Sequence, residues 1–292
     1  MHGFLNIDKP AGMTSHDVVA RVRRLARQRR VGHAGTLDPA ATGVLVVALG
    51  SATRLIEYVQ EQTSKRYRAA VLLGVTTDTD DAEGRALAEA PVPPLDCAAI
   101  EAALAPFRGA IQQVPPMYAA LHHEGRRLHE LARAGISVER PARPVTIERL
   151  DLLEWEPPLL TLDVLCGKGT YTRSLARDIG AAIGCGAHLA ALRRTAVGTF
   201  TIEDAVPLDA LAADADAGGI APALLPPERA VADWPAAQVD EAGARRIRNG
   251  QALALPGIAG DRARAHGLDG TLLALLARDG DAFKPVKVFD WS

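Results

Sequence analysis

The sequence is poor in cysteine, in aromatic residues and in long apolar runs. Its three cysteines among 292 residues are an odd number and form no CxxC pair, so neither a disulfide framework nor a zinc site is expected. No apolar run approaches the ~20 residues that a membrane-spanning helix needs. The first residues carry neither a basic leader nor a long apolar segment, so we expect no secretory signal. A reducing cytoplasm, without a membrane partner, is the expected location.

Charge is nearly balanced overall, at a formal net charge of −2, but it is uneven along the chain. Residues 9–68 hold eleven lysines and arginines and four acids, a local balance of +7, whereas residues 203–241 hold nine acids and one arginine. A basic segment of this kind suits a polyanionic partner. Solvated helix faces explain the same pattern, and charge alone does not separate the two interpretations.

The order of the predicted elements indicates an α+β fold with a mixed sheet, since strands and helices interleave without a regular βαβ rhythm. Ser15 is expected to cap the first helix, and Ser51 and Asp96 are expected to cap two more. Apolar periodicity predicts a further helix and four strands in the first 200 residues. These are the helix 172–183 and the strands 42–49, 66–73, 145–152 and 160–164.

A length of 292 residues suggests about two domains, and the stretch LLPPER (224–229) is the expected boundary. The segment beyond it contains short strand-like pieces punctuated by glycine, such as 271–277 and 286–289. We therefore expect a main domain over residues 1–228 and a small β-rich domain over residues 229–292.

One acid in the stretch GHAGTLDPAATGVLVVALG (32–50) is a candidate for chemistry. Asp38 precedes Pro39, which favours an extended backbone, and the apolar run that follows would anchor its loop in the core. Such a loop presents a reactive side chain from a rigid support. An Asx-turn or a cap is the simpler interpretation, and it is favoured when this stretch is taken alone.

Two further stretches change that balance. Tyr67 lies among three basic residues in SKRYRAAVLLG (64–74), a mixture suited to phosphate contact and base stacking, although a charged edge strand fits equally well. In CGKGTYTRSLARDIG (166–180), Tyr171 and Arg173 would face the same side of an extended backbone. An arginine there could hold a buried carboxylate in its ionised form through a bidentate fork, unless the segment is simply a helix start with Arg173 in solvent.

Two motifs for bound ions or nucleotides fail on spacing. GKGT (167–170) lacks the serine or threonine after the lysine, and the earlier glycine, that a phosphate-binding loop requires. In TDTDDAEG (77–84), Asp78, Asp80 and Glu89 match three positions of a calcium loop, but Glu83 stands where glycine is required. A polar turn explains this acidic run, and no metal site is predicted.

Six stretches, taken together and in order, resemble the TruB-type tRNA pseudouridine synthases over nearly all of residues 1–205. The tail, with LPPERAVADWP, RIRNGQ and PVKVF, looks like the C-terminal PUA-like RNA-binding domain of that family, with weaker motifs. The six stretches are GFLNIDKPAGMTSHDVV (3–19), GHAGTLDPAATGVLVVALG (32–50), KRYRAAVLLGVTTDTDDAEG (65–84), QVPPMYAALHHEGRRLHELARAG (113–135), KGTYTRSLARDIG (168–180) and GAHLAALRRTAVG (186–198).

The resemblance implies both a fold and a reaction. The fold would be a pseudouridine-synthase catalytic domain built on a mixed, mainly antiparallel sheet. The reaction would convert a T-loop uridine of tRNA (position 55 in standard tRNA numbering) to pseudouridine: uracil is detached from ribose, turned, and rejoined through carbon 5. No metal, nucleotide or redox cofactor is expected, tRNA is the expected partner through its T-arm, and the chain is expected to act as a monomer.

The resemblance also assigns site residues. It makes Asp38 the catalytic group and Arg173 its ion-pair partner. Tyr67 would stack on the target base and is a candidate for removing the C5 proton. Tyr171 and Leu192 would complete the uracil pocket.

Two more residues are assigned by resemblance. His33 matches a residue that enters the RNA and fills the space left by the flipped base, whose unstacking costs a few kcal/mol. Lys9, in the stretch DKP, matches a basic position near the active site and is expected to give structural or phosphate-facing support.

Two other functions are consistent with parts of the sequence. An RNA-folding factor, with catalysis secondary or lost, would use the same basic surface, but the intact set of Asp38, Tyr67 and Arg173 argues against it. A hydrolase of small glycosides would usually require a second catalytic acid, and no paired acid is evident near Asp38.

Overall fold

The computed structural model describes residues 1–62, 64–119, 122–123, 126–127, 136 and 138–291. The basic stretch 120–135 of the fourth resemblance motif therefore lies mostly outside the described residues. Strands are numbered β1–β18 and helices α1–α6 in chain order.

The main sheet follows the order β14-β1-β3-β12-β4-β11-β10-β7, with β2 on β3 and β13 on β12. Among the described residues of this sheet, only the β1·β14 and β3·β12 pairs are parallel, so the prediction of a mixed, mainly antiparallel sheet is confirmed. Its strands are β1 Gly3–Lys9, β2 Val31–His33, β3 Thr42–Leu49, β4 Lys65–Leu73, β7 Gly109–Gln113, β10 Arg143–Glu156, β11 Leu159–Cys166, β12 Ala187–Val197, β13 Phe200–Thr201 and β14 Val206–Pro207. Two short hairpins lie outside it, β5 Val75–Thr77 with β6 Ala86–Glu89, and β8 His122–His123 with β9 Arg126–Arg127.

The helices lie between the strands. They are α1 Ser15–Leu25, α2 Ile56–Gln62, α3 Cys97–Leu104, α4 Thr172–Ile183, α5 Leu208–Ala217 and α6 Glu241–Arg248. The bounds predicted for α4 and β3 coincide with the structure, and the carboxylate of Asp96 caps α3 by accepting the Ala99 N–H at 2.7 Å. Within the described residues, no helix is both long enough and apolar enough to cross a membrane.

Two predicted caps were wrong. The cap of α1 is Thr14, one residue before Ser15, and Thr14 and Asp17 form a reciprocal capping box. Ser51 lies in a 3₁₀ helix, Gly50–Leu55, that precedes α2, and its hydroxyl donates to the carbonyl of Asp290 instead. In both places the serine hydroxyl forms a tertiary hydrogen bond in place of a cap.

Three cores flank the main sheet. Helices α3 and α4 pack with β4, β10, β11 and β12 around residues such as Val71, Leu162 and Ile179. At the other end, α1 and α5 cover one face of β1 and β3. The opposite face of β1 and β3 packs against α2, β13 and the C-terminal sheet, through residues such as Phe4, Phe200 and Leu275.

A second, four-stranded sheet follows the main one, in the order β15-β16-β17-β18. Helix α6 covers a core of its own there, around Ile247, Leu276 and Phe283. The prediction of a small β-rich C-terminal unit is confirmed. Its predicted boundary after residue 228 falls inside a 3₁₀ helix, Pro227–Val231, and stays a prediction. The strands are β15 Ala236–Gln238, β16 Arg262–His266, β17 Leu272–Asp279 and β18 Ala282–Val288.

Candidate active site

Asp38 lies on the connection between the antiparallel strands β2 and β3, residues 34–41, called the Asp38 loop below. The buried hydroxyl of Ser15 holds this loop from α1: it donates to the Leu37 carbonyl at 3.1 Å and accepts the Leu37 N–H at 2.9 Å. At the far end, the Ala41 N–H donates to the Asp38 carbonyl at 3.1 Å. Leu37, next to Asp38, is therefore fixed on the buried side of the loop, while the Asp38 side chain stays 43% exposed.

Lys9 supports the same loop from inside the protein. Its side chain is fully buried, and its ammonium donates to the carbonyls of Pro10, Met13 and Pro39 at 2.9, 2.7 and 3.1 Å. All three ammonium protons have acceptors, so no donor remains for a phosphate. These contacts favour the structural alternative for Lys9, and its assignment to substrate binding stays a prediction.

Arg173 and Asp38 form an ion pair, with Nε of the arginine 3.1 Å from Oδ2 of the aspartate. The expected bidentate fork on Asp38 is not seen, because Arg173 divides its guanidinium between two acids. Its Nη1 atom lies 3.5 Å from Oδ2 of Asp81, and its Nη2 donates to the Tyr118 carbonyl at 2.9 Å. The arginine side chain is only 8% exposed, so its position is set by the protein and not by solvent.

Arg173 reaches the site from the first turn of α4. The expectation of an extended backbone through Tyr171 and Arg173 was wrong, since Tyr171 is the N-cap residue and α4 begins directly after it. Gln113 fixes this start: its side-chain oxygen accepts the Tyr171 N–H at 2.8 Å and its amide donates to the Tyr171 carbonyl at 3.1 Å. The helix start was the alternative interpretation, but Arg173 points into the protein and not into solvent.

A cavity of about 230 Å³ opens in front of this ion pair. This volume exceeds the roughly 150 Å³ of an engineered cavity that accepts benzene, so the volume is sufficient for one planar ring. Five predicted site residues line it together: Asp38, Tyr67, Tyr171, Arg173 and Leu192. The other lining residues, which the sequence analysis did not assign, are Thr36, Leu37, Tyr118, Ala119, Thr170 and Thr172.

Tyr67 and Tyr171 form aromatic walls of the cavity. Tyr67 belongs to β4 and is 8% exposed, with Arg194 of β12 as its cross-strand partner. Burial raises the pKa of the Tyr67 phenol, and the nearby Arg194 guanidinium opposes that rise. Burial likewise raises the pKa of Tyr171. Both phenols are therefore neutral at pH 7 in the free protein.

His33 lies outside the cavity lining, at the end of β2. Its half-buried ring meets the ring of His16 edge to face, with centroids 5.3 Å apart. Burial, together with the nearby positive charges of His16 and Arg194, lowers the pKa of His33 below its usual value. The ring is thus neutral at pH 7 and can stack without carrying a charge into an apolar contact.

The acidic run 77–84 supports the arginines of α4. Besides the Asp81–Arg173 pair, Asp80 accepts from Arg177 at 3.0 Å. Two acids also close the turn, since Asp78 accepts the Arg85 N–H and Asp81 accepts the Glu83 N–H through its other carboxylate oxygen. The prediction of a polar turn is confirmed. The contact between Asp81 and Arg173 was not predicted, because the two residues lie 92 positions apart in the sequence.

The basic residues around Tyr67 have different environments. Arg66 is paired with Asp163 through two contacts of 2.8 Å, and Lys65 donates to the Gln60 carbonyl. Arg68 is exposed. Exposed arginines also cluster in the last turn of α1 and just after it, among them Arg24, Arg27 and Arg29. The charge available to a polyanion therefore lies mainly on these exposed arginines and less on the residues beside Tyr67.

Comparisons with known proteins identify the family of the chain. Residues 23–172 match the model of the TruB family pseudouridylate synthase N-terminal domain. Residues 173–232 match a tRNA pseudouridylate synthase B C-terminal domain, and residues 234–290 match a tRNA pseudouridine synthase II C-terminal domain. The chain belongs to the TruB family of pseudouridylate synthases.

Individual relatives cover almost the whole chain. A tRNA pseudouridine synthase B of Moorella thermoacetica is 46% identical over 98% of both chains. One of Gloeobacter violaceus is 49% identical over 86% of both chains. Among solved structures, a chain in a Cbf5-Nop10-Gar1 complex is similar with a TM-score of 0.76 at 29% identity, covering 98% of this chain and 84% of that one.

Proposed function

We propose that this TruB-family chain converts the T-loop uridine of tRNA at position 55 to pseudouridine, with Asp38 as the catalytic group. The observation that carries this proposal is the 3.1 Å Asp38–Arg173 ion pair at the mouth of a cavity with aromatic walls. The tRNA pseudouridine synthase names of relatives that match 98% of the chain support the substrate class.

The reaction needs a flipped base. A uridine stacked in the tRNA elbow cannot reach a carboxylate set at the mouth of a cavity, so the nucleotide must leave its stack. His33, neutral and next to the Asp38 loop, is placed to fill the space that the base leaves. The uracil ring would then enter the cavity that Tyr67, Tyr171 and Leu192 line.

Chemistry follows at the sugar–base bond. The N1–C1′ bond breaks, either by attack of Asp38 on C1′ or through oxocarbenium character that the carboxylate stabilises. The uracil turns in the cavity, C5 bonds to C1′, the C5 proton leaves and N1 takes up a proton. Tyr67 is placed to help remove the C5 proton, and Arg173 keeps Asp38 charged and oriented.

The two alternative functions have less support. A glycoside hydrolase would use a second acid, and Asp38 is the only acid among the described residues that line the cavity. An RNA-folding factor would not require a carboxylate held by a nearly buried arginine at a cavity of nucleobase size. It remains the alternative that the experiment below separates from catalysis.

The remaining assignments belong to the same proposal. Residues 229–292 would form a PUA-like RNA-binding domain beside a catalytic domain over residues 1–228. The chain would act on tRNA as a monomer in the cytoplasm, without an obligate protein partner and without a cofactor.

Tritium release from tRNA transcripts carrying 5-tritiated uridine tests the proposal. We expect wild type to release tritium from the unaltered tRNA and not from a transcript with cytidine at the target position. Asp38→Asn should abolish release and keep tRNA affinity, whereas the control Asp151→Asn, an exposed acid on β10, should behave like wild type. Tight tRNA binding without release by wild type would favour the RNA-folding function. Loss of both release and affinity in Asp38→Asn would overturn the assigned role of Asp38.

A further inference from the structure

Arg194 lies behind the catalytic loop and belongs to no role assigned so far. This residue of β12 is 1% exposed, among the most deeply buried large side chains of the described residues. Its guanidinium donates to three backbone carbonyls, Nε to Val44 at 2.7 Å, Nη1 to Thr36 at 3.2 Å and Nη2 to Gly35 at 3.0 Å. Two of these carbonyls precede Asp38 and one follows it, so a single side chain ties both ends of the loop together.

The backbone of Arg194 contacts the loop exit as well. Gly43 adopts a positive φ of +97°, and a Cβ atom built there would lie 2.2 Å from the Arg194 carbonyl oxygen. Strand β3 therefore begins in direct backbone contact with β12, where Gly43 pairs with Arg194. The side chain and the main chain of Arg194 both set where the Asp38 loop ends.

The charge of this arginine is unusual. It forms no ion pair with a carboxylate of the described residues, and burial lowers its pKa. A buried, unpaired guanidinium costs several kcal/mol of desolvation that three neutral carbonyls only partly offset. Fixing a loop alone could be done by a neutral donor, so the retained charge suggests an electrostatic task.

Tyr67 is the group that this charge faces. The two residues are direct cross-strand partners in the antiparallel pair β4·β12, and the guanidinium interacts with the Tyr67 phenol. A cation beside a phenol favours the phenolate and so opposes the effect of burial, whereas Cys166 and Asp38, the other titratable groups near this phenol, favour its neutral form. A tyrosine that must accept a proton would benefit from such a neighbour.

We propose that Arg194 is a positioning residue of this site, which holds the Asp38 loop by both ends and favours the ionised form of Tyr67 during proton removal. This inference rests on the proposed function. Its two parts, the hold on the Asp38 loop and the effect on Tyr67 ionisation, can still be measured without any activity.

The experiment uses Arg194→Lys, which keeps the charge and loses the three-way fork, and Arg194→Met, which removes both. Arg193→Lys is the matched control, because this neighbouring side chain is 42% exposed and pairs with Asp8. Three readouts are taken on the full chain. They are the single-turnover rate of tritium release at saturating enzyme, amide hydrogen exchange of the loop 34–41, and the titration of Tyr67 by NMR of ¹³C-labelled tyrosine, assigned with Tyr67→Phe.

We expect Arg194→Lys to lower the single-turnover rate roughly tenfold or more, as for a slightly misplaced reacting group. Exchange in the loop should be faster in both Arg194 variants, and Tyr67 should titrate at higher pH in Arg194→Met than in wild type. Arg193→Lys should match wild type in every readout.

Wild-type loop exchange together with a wild-type rate in Arg194→Lys would overturn the inference. If Arg194→Met folds and its Tyr67 titrates as in wild type, the proposed effect of Arg194 on the ionisation of Tyr67 is overturned. If wild type itself released no tritium, the proposed function would fail, while the exchange and titration data would still decide the two roles of Arg194.

Discussion

Nε of Arg173 lies 3.1 Å from Oδ2 of Asp38, while Nη1 of the same guanidinium lies 3.5 Å from Oδ2 of Asp81. One nearly buried arginine thus connects an exposed acid at the cavity with a more buried acid behind it. The second acid fixes the arginine, and the arginine fixes the first acid. Orientation of the Asp38 carboxylate, the proposed catalytic group, therefore depends on a planar guanidinium with several donors.

Arg173→Lys should accordingly lower the single-turnover rate by roughly 10²-fold, the scale expected for a displacement of about 1 Å at a reacting group. A lysine keeps the charge but cannot reach Asp38, Asp81 and the Tyr118 carbonyl together. The rate is measured by tritium release at saturating enzyme, with Arg149→Lys, an exposed arginine of β10, as control. A rate within twofold of wild type would show that charge alone suffices at this position.

Ser15→Ala should destabilise the fold by about 1–3 kcal/mol, because the Leu37 N–H and carbonyl are both left without their buried partner. Urea unfolding measures the change, and the single-turnover rate should fall as well, since the same hydrogen bonds hold the Asp38 loop. Ser51→Ala removes one exposed hydroxyl hydrogen bond and should change stability by less than about 0.5 kcal/mol. Equal effects of the two substitutions would contradict the anchoring role of Ser15.

Affinity for tRNA should fall steeply with salt, since the binding of basic side chains to phosphates releases counterions. The double variant Arg24→Gln/Arg29→Gln should make the plot of log affinity against log salt shallower by about 0.7–0.9 for each phosphate that the variant no longer neutralises. Filter binding across a KCl series measures this slope. Arg85→Gln/Arg149→Gln, two exposed arginines outside residues 9–68, should keep the wild-type slope. A flat wild-type response would argue against RNA docking on this basic surface.

His33 should make stability pH-dependent. Its pKa is lowered in the folded state, so the unfolded chain takes up this proton first as pH falls below about 6.5. Stability should therefore decrease as the pH drops from 7 toward 5, and His33→Gln should remove part of that decrease. His266, whose pKa is also lowered by burial, should account for a further part. Urea midpoints at several pH values test this, and parallel curves for wild type and His33→Gln would contradict it.

His16→Gln refines the same measurement. It removes one of the two positive neighbours that lower the pKa of His33, and it leaves the burial of His33 largely in place. Its pH dependence should fall between those of wild type and His33→Gln. A curve identical to that of His33→Gln would mean that His16 itself, and not the burial of His33, controls the effect.

Apolar patterns in the sequence predicted the strands and helices that bury one face or the whole element. The apolar run 42–49 and the helix 172–183 have the predicted bounds, because periodicity and turn residues define both ends. Caps were less predictable: Thr14, Ser15 and Asp17 all suit a helix start, and the contact of Ser15 with Leu37 decides which one caps. That contact crosses 22 positions and has no local signature.

The sequence by itself determined the family, the α+β composition and the acid on a loop before a buried strand. By resemblance it also named five of the residues that line the cavity. Tertiary structure decided how those residues work together. It divided Arg173 between two acids, buried Lys9 among three carbonyls, and placed Arg194 behind Tyr67. The physical reason is that periodicity reports the burial of residues near in sequence, whereas the partner of a buried charge is set by the pairing of strands and loops that lie far apart along the chain.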